Sequence, residues 1–183
     1  MDTLKSRVEL ADYFNRLGFK TGAEIGVAGG AYSEILCRAV PGLKLFCIDI
    51  WSPYHGNRRG GGKEQHANNF HIAAKRLRPY NAKLIRAMSA DAVVRFPDNS
   101  LDFVFIDGNH DFDYVMQDLI LWSKKVRPGG IVSGHDYYPI RNGGVIEAVN
   151  AYTAAHGIKL NLTEPRQDND PDDRQSSYYW MKQ

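Results

Sequence analysis

Length, composition and charge restrict the class of protein before any motif is considered. The chain has 183 residues, of which 43% are hydrophobic, and a formal net charge of +2. This length suits one compact domain, residues 1–183, with a core of ordinary size. The charge is too small to favour nucleic acid or a membrane surface as a partner through bulk electrostatics.

The cysteines and the N-terminal segment predict a soluble cytoplasmic protein. Cys37 falls in a predicted helix and Cys47 in a predicted strand, both among apolar neighbours, which favours buried free thiols over a disulfide. The opening residues, MDTLKSRVELADYF, lack the apolar core of a signal peptide. No segment approaches the length of a membrane span.

Helices and strands alternate along most of the chain. A first amphipathic helix is predicted from apolar residues at helical spacing and ends near Gly18. Strands are predicted at 23–27, 43–48, 83–87, 102–106 and 131–133. The helices between them are predicted from residues 32–40, from a stripe at Ala67, Phe70, Ala74 and Leu77, and from a stripe at Val115, Leu119, Trp122 and Val126 that stops at Pro128-Gly129-Gly130.

This alternation predicts an α/β fold. Strands that alternate with helices of this length imply a parallel sheet with right-handed crossovers. The tail differs, because a helix at 145–155 is followed by two strands, 159–163 and 177–182, that read most simply as an antiparallel hairpin at the sheet edge. We therefore expect a Rossmann-like, doubly wound sheet of about seven strands, mostly parallel, with helices on both faces.

The first strand leads into a glycine-rich turn, GAEIGVAGGAYSEIL. Glycines let the backbone approach a ligand, and the following helix offers its N-terminal amides. The dinucleotide fingerprint fails here, because counting from Gly26 its third and sixth positions are Ala28 and Ala31. Glu24 would repel a diphosphate and attract a cation, and Asp49, after the second strand, suits ribose hydroxyls. A ligand with a ribose and a positive charge satisfies both acids.

Two further pairs of polar residues follow neighbouring strands. Asp107 and His110 come after one apolar strand, and His135 and Asp136 come after the next. The carboxyl ends of neighbouring strands meet in one crevice. Since carboxylates favour hard cations and imidazole binds metals or carries protons, metal-assisted or base-assisted chemistry is indicated. The alternatives are that Asp107 caps the next helix and that His110 is an ordinary loop residue.

Three other polar residues are assigned to the surface. Asp118 is placed on the solvent-facing side of the helix that carries the Val115 stripe. His66 and His71 are placed on a polar helix face.

The glycine-rich and arginine-rich segment 56–63 is interpreted as a lid, with a disordered surface loop as the alternative. Arg58, Arg59 and Arg141 would favour an anionic substrate.

The pattern Glu24-x-Gly26-x-x-x-Gly30, Asp49 after the second strand and the closing antiparallel hairpin resemble class I S-adenosylmethionine-dependent methyltransferases. The resemblance covers nearly the whole chain. Within that class, IDGNHDFDYVMQDL followed by PGGIVSGHDY resembles small metal-dependent O-methyltransferases of the macrocin O-methyltransferase and cephalosporin hydroxylase group.

The resemblance implies roles for individual residues. Glu24 and the backbone at Gly26 and Gly30 would hold the methionine part of S-adenosylmethionine, and Asp49 would bind its ribose. The remaining cofactor-binding residues would be Ser89, Ala90 and Asp107, the first two beside the adenine. The metal site, for Mg²⁺ or another divalent cation, would comprise Asp107, His135 and Asp136. His110, with Asp107, would be catalytic, as a base.

The leading hypothesis is O-methylation of a hydroxyl on a small molecule or glycan, with a divalent cation assisting. A homo-oligomer is compatible with this hypothesis, and a nucleic-acid partner is not expected. Two other enzyme classes remain open on a Rossmann-like sheet. One is a nucleotide-dependent oxidoreductase, and the other is a metal-dependent hydrolase that uses Asp107, His110, His135 and Asp136 without a cofactor.

Overall fold

A computed structural model describes residues 4–54, 56, 61–140, 143–164 and 175–183. Within these residues a seven-stranded sheet forms in the order β3-β2-β1-β4-β5-β7-β6. The strands are β1 (Thr21–Ile25), β2 (Lys44–Asp49), β3 (Ala82–Arg86), β4 (Leu101–Ile106), β5 (Val126–Gly134), β6 (Asn161–Leu162) and β7 (Tyr178–Met181). β1 to β5 pair in parallel, whereas β7 pairs antiparallel with both β5 and β6. The predicted parallel sheet with an antiparallel hairpin at its edge is confirmed.

Helices cover both faces of the sheet. They are α1 (Arg7–Arg16), α2 (Ala31–Ala39), α3 (Lys63–Leu77), the short α4 (Ser89–Ala92), α5 (Phe112–Trp122) and α6 (Val145–Ala155), and a 3₁₀ turn spans Val93–Arg95. Alternate β4 side chains enter opposite cores, because successive residues of a strand point to opposite faces. Phe103 and Phe105 pack with α1, α2 and α3, whereas Val104 and Ile106 pack with α5 and α6. This is the predicted doubly wound arrangement.

The end of α5 differs from the prediction. The helix ends at Trp122, and Val126, assigned to its apolar stripe, is the first residue of β5. Pro128-Gly129-Gly130 therefore lies inside β5, where the pairing with β4 is interrupted between Leu101 and Phe103. A buried apolar residue four positions after Trp122 fits a helix and a following strand equally well, so periodicity alone could not separate them. The short α4 and its 3₁₀ turn were not predicted.

The two cysteines are buried and free, as predicted. Tyr178 and Trp180 pack in the core on the α5 and α6 face, so β7 is an ordinary core strand.

Candidate active site

A cavity of about 710 Å³ lies beyond the carboxyl ends of the parallel strands. Its wall combines the turn after β1 with the ends of β2, β3, β4 and β5. β1 and β4 are neighbours in the sheet, and the helices that follow them, α2 and α5, pack on opposite faces, which is the point where open α/β sheets bind ligands. Glu24, Asp49 and Asp107 all line this one cavity, as do His110, His135 and Asp136. The predicted site residues that come from four different strands or turns are therefore brought together.

Asp49 holds the glycine-rich turn in place. Its Oδ2 accepts hydrogen bonds from the backbone N–H groups of Val27, at 3.0 Å, and Ala28, at 2.9 Å. Its Oδ1 accepts from the backbone N–H of Trp51, at 2.7 Å. The Trp51 indole donates in return to the Ala28 carbonyl, at 2.8 Å. The β1 and β2 turns are thus tied together, with Ala28 and Trp51 both at positive φ.

We expect the substitution Asp49→Asn to lower the free energy of unfolding by about 2 kcal/mol, because one carboxylate oxygen becomes an NH₂ group that faces backbone donors. Urea denaturation measures this effect. Asp12→Asn, at an exposed position of α1, is the matched control and should leave stability unchanged. Equal stability of the two variants would contradict the role given to Asp49.

Glu24 is a buried acid at the other end of the same turn. It lies within β1, not in the turn as predicted, and its side chain is 2% exposed. Ser33 of α2 donates a short hydrogen bond to its Oε2. Burial raises the pKa of Glu24 to about 8, with Asp107 and Asp49 adding to the rise and Ser33 and Arg7 opposing it. Glu24 is therefore neutral at pH 7 until a cation approaches.

Asp107, His110 and Asp136 form a compact polar group. His110 Nε2 lies 2.9 Å from Asp136 Oδ2 and 3.9 Å from Asp107 Oδ1. Burial alone would lower the pKa of His110, but the nearby acids Asp107 and Asp136, the second at hydrogen-bond distance, raise it to about 9. Burial would raise the pKa of Asp136, but hydrogen bonds with His110 and His135 bring it below its ordinary value. The resting arrangement is a protonated imidazole between two carboxylates.

These three residues each offer one possible metal-ligating atom, and the three atoms lie within 4.8 Å of one another. Among the described residues, His135 is not part of such a group. Its Nδ1 lies 3.4 Å from Asp136 Oδ1, and its side chain is 6% exposed. The N-cap of α5 is Asp111, so Asp107 does not cap that helix. The geometry thus places His110, more than His135, beside the two acids.

Asp118 is buried, which contradicts its predicted exposure. The residue is 5% exposed, and Ser89 Oγ donates a short hydrogen bond to its Oδ1. Burial raises the pKa of Asp118 to about 7, and the Ser89 hydrogen bond limits the rise. Residue 118 is three positions after Val115 and four before Trp122, so it lies in the apolar stripe. That spacing could have revealed it, but its charge argued for solvent.

A family comparison identifies the class of protein. The model of a family described as "Methyltransferase domain" matches residues 23–137, which include the glycine-rich turn, Asp49 and the Asp107 to Asp136 group. The chain belongs to this methyltransferase family. This match confirms the resemblance to class I S-adenosylmethionine-dependent methyltransferases.

Solved structures of methyltransferases share the fold of this methyltransferase. An O-methyltransferase from Bacillus cereus in complex with SAH is 15% identical, with a TM-score of 0.68, over 96% of this chain and 80% of the other. TomG, an O-methyltransferase from Streptomyces achromogenes in complex with SAM, is 17% identical, with a TM-score of 0.65, over 97% and 80%. A Clostridium thermocellum protein described as an rRNA-methylase is 14% identical, with a TM-score of 0.67, over 100% and 99%. No curated protein gave a significant match.

Sequence reasoning missed further residues of the methyltransferase cavity. His66 was assigned to the surface, but it is half-buried and lines the cavity, whereas His71 is exposed as predicted. Asn109 donates to the Tyr54 hydroxyl at 3.1 Å and to the Gly56 carbonyl at 3.2 Å, which joins the β4 turn to the start of the predicted lid. Asn109 lies in a loop, where no periodic pattern marks a position, whereas His66 lies in the first turn of α3.

Several predicted features lie outside the described residues. These are Arg58 and Arg59 of the predicted lid, and Arg141. Among the described residues, no helix has the length and apolarity needed to cross a membrane.

Proposed function

We propose that this methyltransferase moves the methyl group of S-adenosylmethionine to a hydroxyl oxygen of a small molecule or glycan. The observation that carries the proposal is that Glu24 and Asp49 line the same cavity, although they come from different strands. One is a buried acid suited to an ammonium group, and the other lies at the position that binds ribose hydroxyls in such sheets. The cavity volume of about 710 Å³ is in the usual range for a ligand of this size.

The cofactor would lie across the ends of β1, β2 and β3. Glu24 would bind the amino group of its methionine part, next to the backbone at Gly26. Gly30, also predicted to bind this part, is the buried N-cap of α2 and does not line the cavity. Asp49 would accept from the ribose hydroxyls while still holding the turn, since each carboxylate oxygen has more than one acceptor site. Ser89 and Ala90, after β3, would border the adenine, and Asp107 would lie near the methionine part. When bound, the cofactor supplies an electrophilic methyl group on a sulfonium.

The acceptor oxygen would lie beside His110. Asp107 and Asp136 flank its Nε2 and stabilise the imidazolium, which makes the ring a strong proton acceptor once it is neutral. The cavity would also position the two reactants next to each other, and positioning contributes a large part of the rate in reactions of this kind.

A divalent cation is the second part of the proposal. Two carboxylates and one imidazole, with ligand atoms within 4.8 Å of one another, form a donor set that suits Mg²⁺, Mn²⁺ or a similar ion. Asp107, His110 and Asp136 would hold it, with His110 as a neutral ligand, so that with the ion bound the ion and not His110 would activate the hydroxyl. His135 would orient Asp136 from the side. Such an ion would lower the pKa of a bound hydroxyl.

We expect the wild-type protein to bind one Mn²⁺ ion per chain, as measured by electron paramagnetic resonance of free Mn²⁺ in a titration. Asp136→Asn should weaken this binding by about 10-fold or more, because it removes one charged ligand. His71→Ala, on the exposed face of α3, is the control and should bind as the wild type does. If the wild-type protein takes up no Mn²⁺, the cation proposal is wrong, and His110 acts as a base alone.

Isothermal titration calorimetry with S-adenosylmethionine and S-adenosylhomocysteine tests the main proposal. We expect saturable binding of both compounds at one site per chain, and weaker or no binding of NADH, since the dinucleotide fingerprint is incomplete. Binding of NADH alone would favour the oxidoreductase alternative. Binding of neither S-adenosyl compound would refute the proposed function.

A further inference from the structure

Asp118 is a buried acid that lines the cavity near the end of β3. It projects from α5 and is 5% exposed. Ser89, Ala90 and Gly108 line the same part of the cavity. A carboxyl group that is removed from water requires a hydrogen-bonding partner for each oxygen.

One oxygen of Asp118 is held within the protein. Trp122 Nε1 donates to Ser89 Oγ at 2.7 Å, which leaves the Ser89 proton for Asp118 Oδ1. This chain of donors runs in one direction, because an indole N–H can only donate. The carboxyl group is thereby fixed in orientation by two side chains, one from α5 itself and one from α4.

The second oxygen is directed towards Gly108. A Cβ built on Gly108 would lie 3.9 Å from Asp118 Oδ2, and Gly108 itself lines the cavity. Without a side chain at residue 108, a flat ligand can approach Oδ2 along the β4 turn. A ligand atom that donates a hydrogen bond is the natural partner for this oxygen.

We infer that Asp118 selects the purine of the cofactor by accepting a hydrogen bond from its 6-amino group at Oδ2. The inference rests on the proposed function, which places the adenine beside Ser89 and Ala90. A purine with a 6-oxo group presents an acceptor in place of the amino donor, so it would face the oxygen of an ionised Asp118 without a proton between them. Asp118 is then a specificity-determining residue that the sequence resemblance does not name.

The ionised form of Asp118 is the one that accepts hydrogen bonds at both oxygens. Burial raises the pKa of Asp118 to about 7, and its one hydrogen-bond donor described by the structure is Ser89. A second donor at Oδ2 stabilises the ionised form, whereas a second acceptor does not.

The test compares S-adenosylhomocysteine with S-inosylhomocysteine, its 6-oxo analogue, by isothermal titration calorimetry at about pH 8.5, where Asp118, with a pKa of about 7, is ionised. We expect the wild-type protein to prefer the adenosyl compound by about 30-fold, because the analogue leaves a buried polar group without its partner. Asp118→Ala should reduce this preference to about 3-fold or less by weakening binding of the adenosyl compound alone. Asp91→Ala, at an exposed position of the same short helix as Ser89, should keep the wild-type preference.

The outcomes separate this inference from the proposed function. If wild-type protein binds both compounds equally, or if Asp118→Ala keeps the full preference, the inference is wrong while the proposed function stands. If neither compound binds to the wild-type protein, both the inference and the proposed function are wrong.

Should the Asp118→Ala protein fail to fold, the Asp118→Asn variant replaces it. Its amide adds a donor for the 6-oxo group, so the preference for the adenosyl over the inosyl compound should decrease. An unchanged preference would refute the inference.

Discussion

Replacing Gly26 with alanine is expected to lower the free energy of unfolding by about 4 kcal/mol and to abolish cofactor binding. The φ angle of Gly26 is +86°, which costs an L-residue about 1 to 2 kcal/mol. An added Cβ would also lie 2.0 Å from the Asp107 carbonyl oxygen, so the turn after β1 and the turn after β4 would have to separate. Backbone atoms cannot rotate away as a side chain can, and forced overpacking costs about 1 to 3 kcal/mol more.

Gly62→Ala is the matched control for this substitution. Gly62 precedes α3 with a φ of −68°, and nothing lies within 4 Å of the Cβ position. We expect its urea midpoint to equal that of the wild-type protein or to rise slightly, because alanine restricts the unfolded chain. A Gly26→Ala protein with normal stability and normal S-adenosylhomocysteine affinity would mean that the two turns are not packed as described.

Replacing Glu24 with glutamine is expected to stabilise the cofactor-free protein at alkaline pH and to weaken the cofactor complex. The pKa of Glu24 is raised by burial from 4.5 to about 8 in the folded protein. Between these two values the unfolded chain releases a proton that the folded chain retains, so wild-type stability falls as the pH rises from about 4.5 to about 8. Glutamine has no charge to release and still accepts the Ser33 hydrogen bond.

The two proteins should therefore have similar stability near pH 4.5, and the variant should be more stable by about 4 kcal/mol near pH 8. Urea denaturation across this pH range measures the difference. Glu64→Gln, at an exposed position of α3, is the control and should follow the wild-type curve. A parallel pH dependence for wild type and Glu24→Gln would contradict a raised pKa at Glu24.

Cofactor binding gives an independent measure of the same group. If the ammonium group of S-adenosylhomocysteine binds Glu24, the acid must release its proton, so binding at pH 7 should release protons to the buffer. Calorimetry in buffers of different ionisation enthalpy counts these protons. Glu24→Gln should release fewer protons and bind about 10-fold more weakly, because the ion pair is lost. An unchanged proton count and affinity would place the ammonium group elsewhere.

The local sequence predicted the position of Asp49 correctly but not the burial of Asp118. Asp49 ends a strand whose length and apolar pattern are clear, so its place at the sheet edge followed from local sequence alone. Asp118 lies in a helix of known phase, but its burial depends on Ser89, which is 29 residues away along the chain. A charged residue in an apolar stripe is read as exposed unless its distant partner is known.

For His110 and His135 as well, the local sequence does not predict which side chains meet. Both were placed at the crevice correctly, because each follows a predicted strand. Which imidazole lies nearest the acids depends on the path of the turn after β4 and on the positive φ of Asp136, 57°, which turns its carboxylate towards His110. Neither feature has a sequence signal, since the left-handed conformation of a non-glycine residue is set by its surroundings.

The sequence by itself determined the alternation of strands and helices, the doubly wound sheet and the set of turns that carry the polar residues, since these follow from local periodicity and from the geometry of parallel sheets. Only the tertiary structure decided which side chains meet: Glu24 with Ser33, Asp49 with the turn after β1, His110 with Asp136, and Ser89 with Asp118. These contacts join residues from different elements, and burial in the folded protein raises the pKa values of Glu24 and Asp118. Local sequence does not encode either property, because both depend on how the elements pack together.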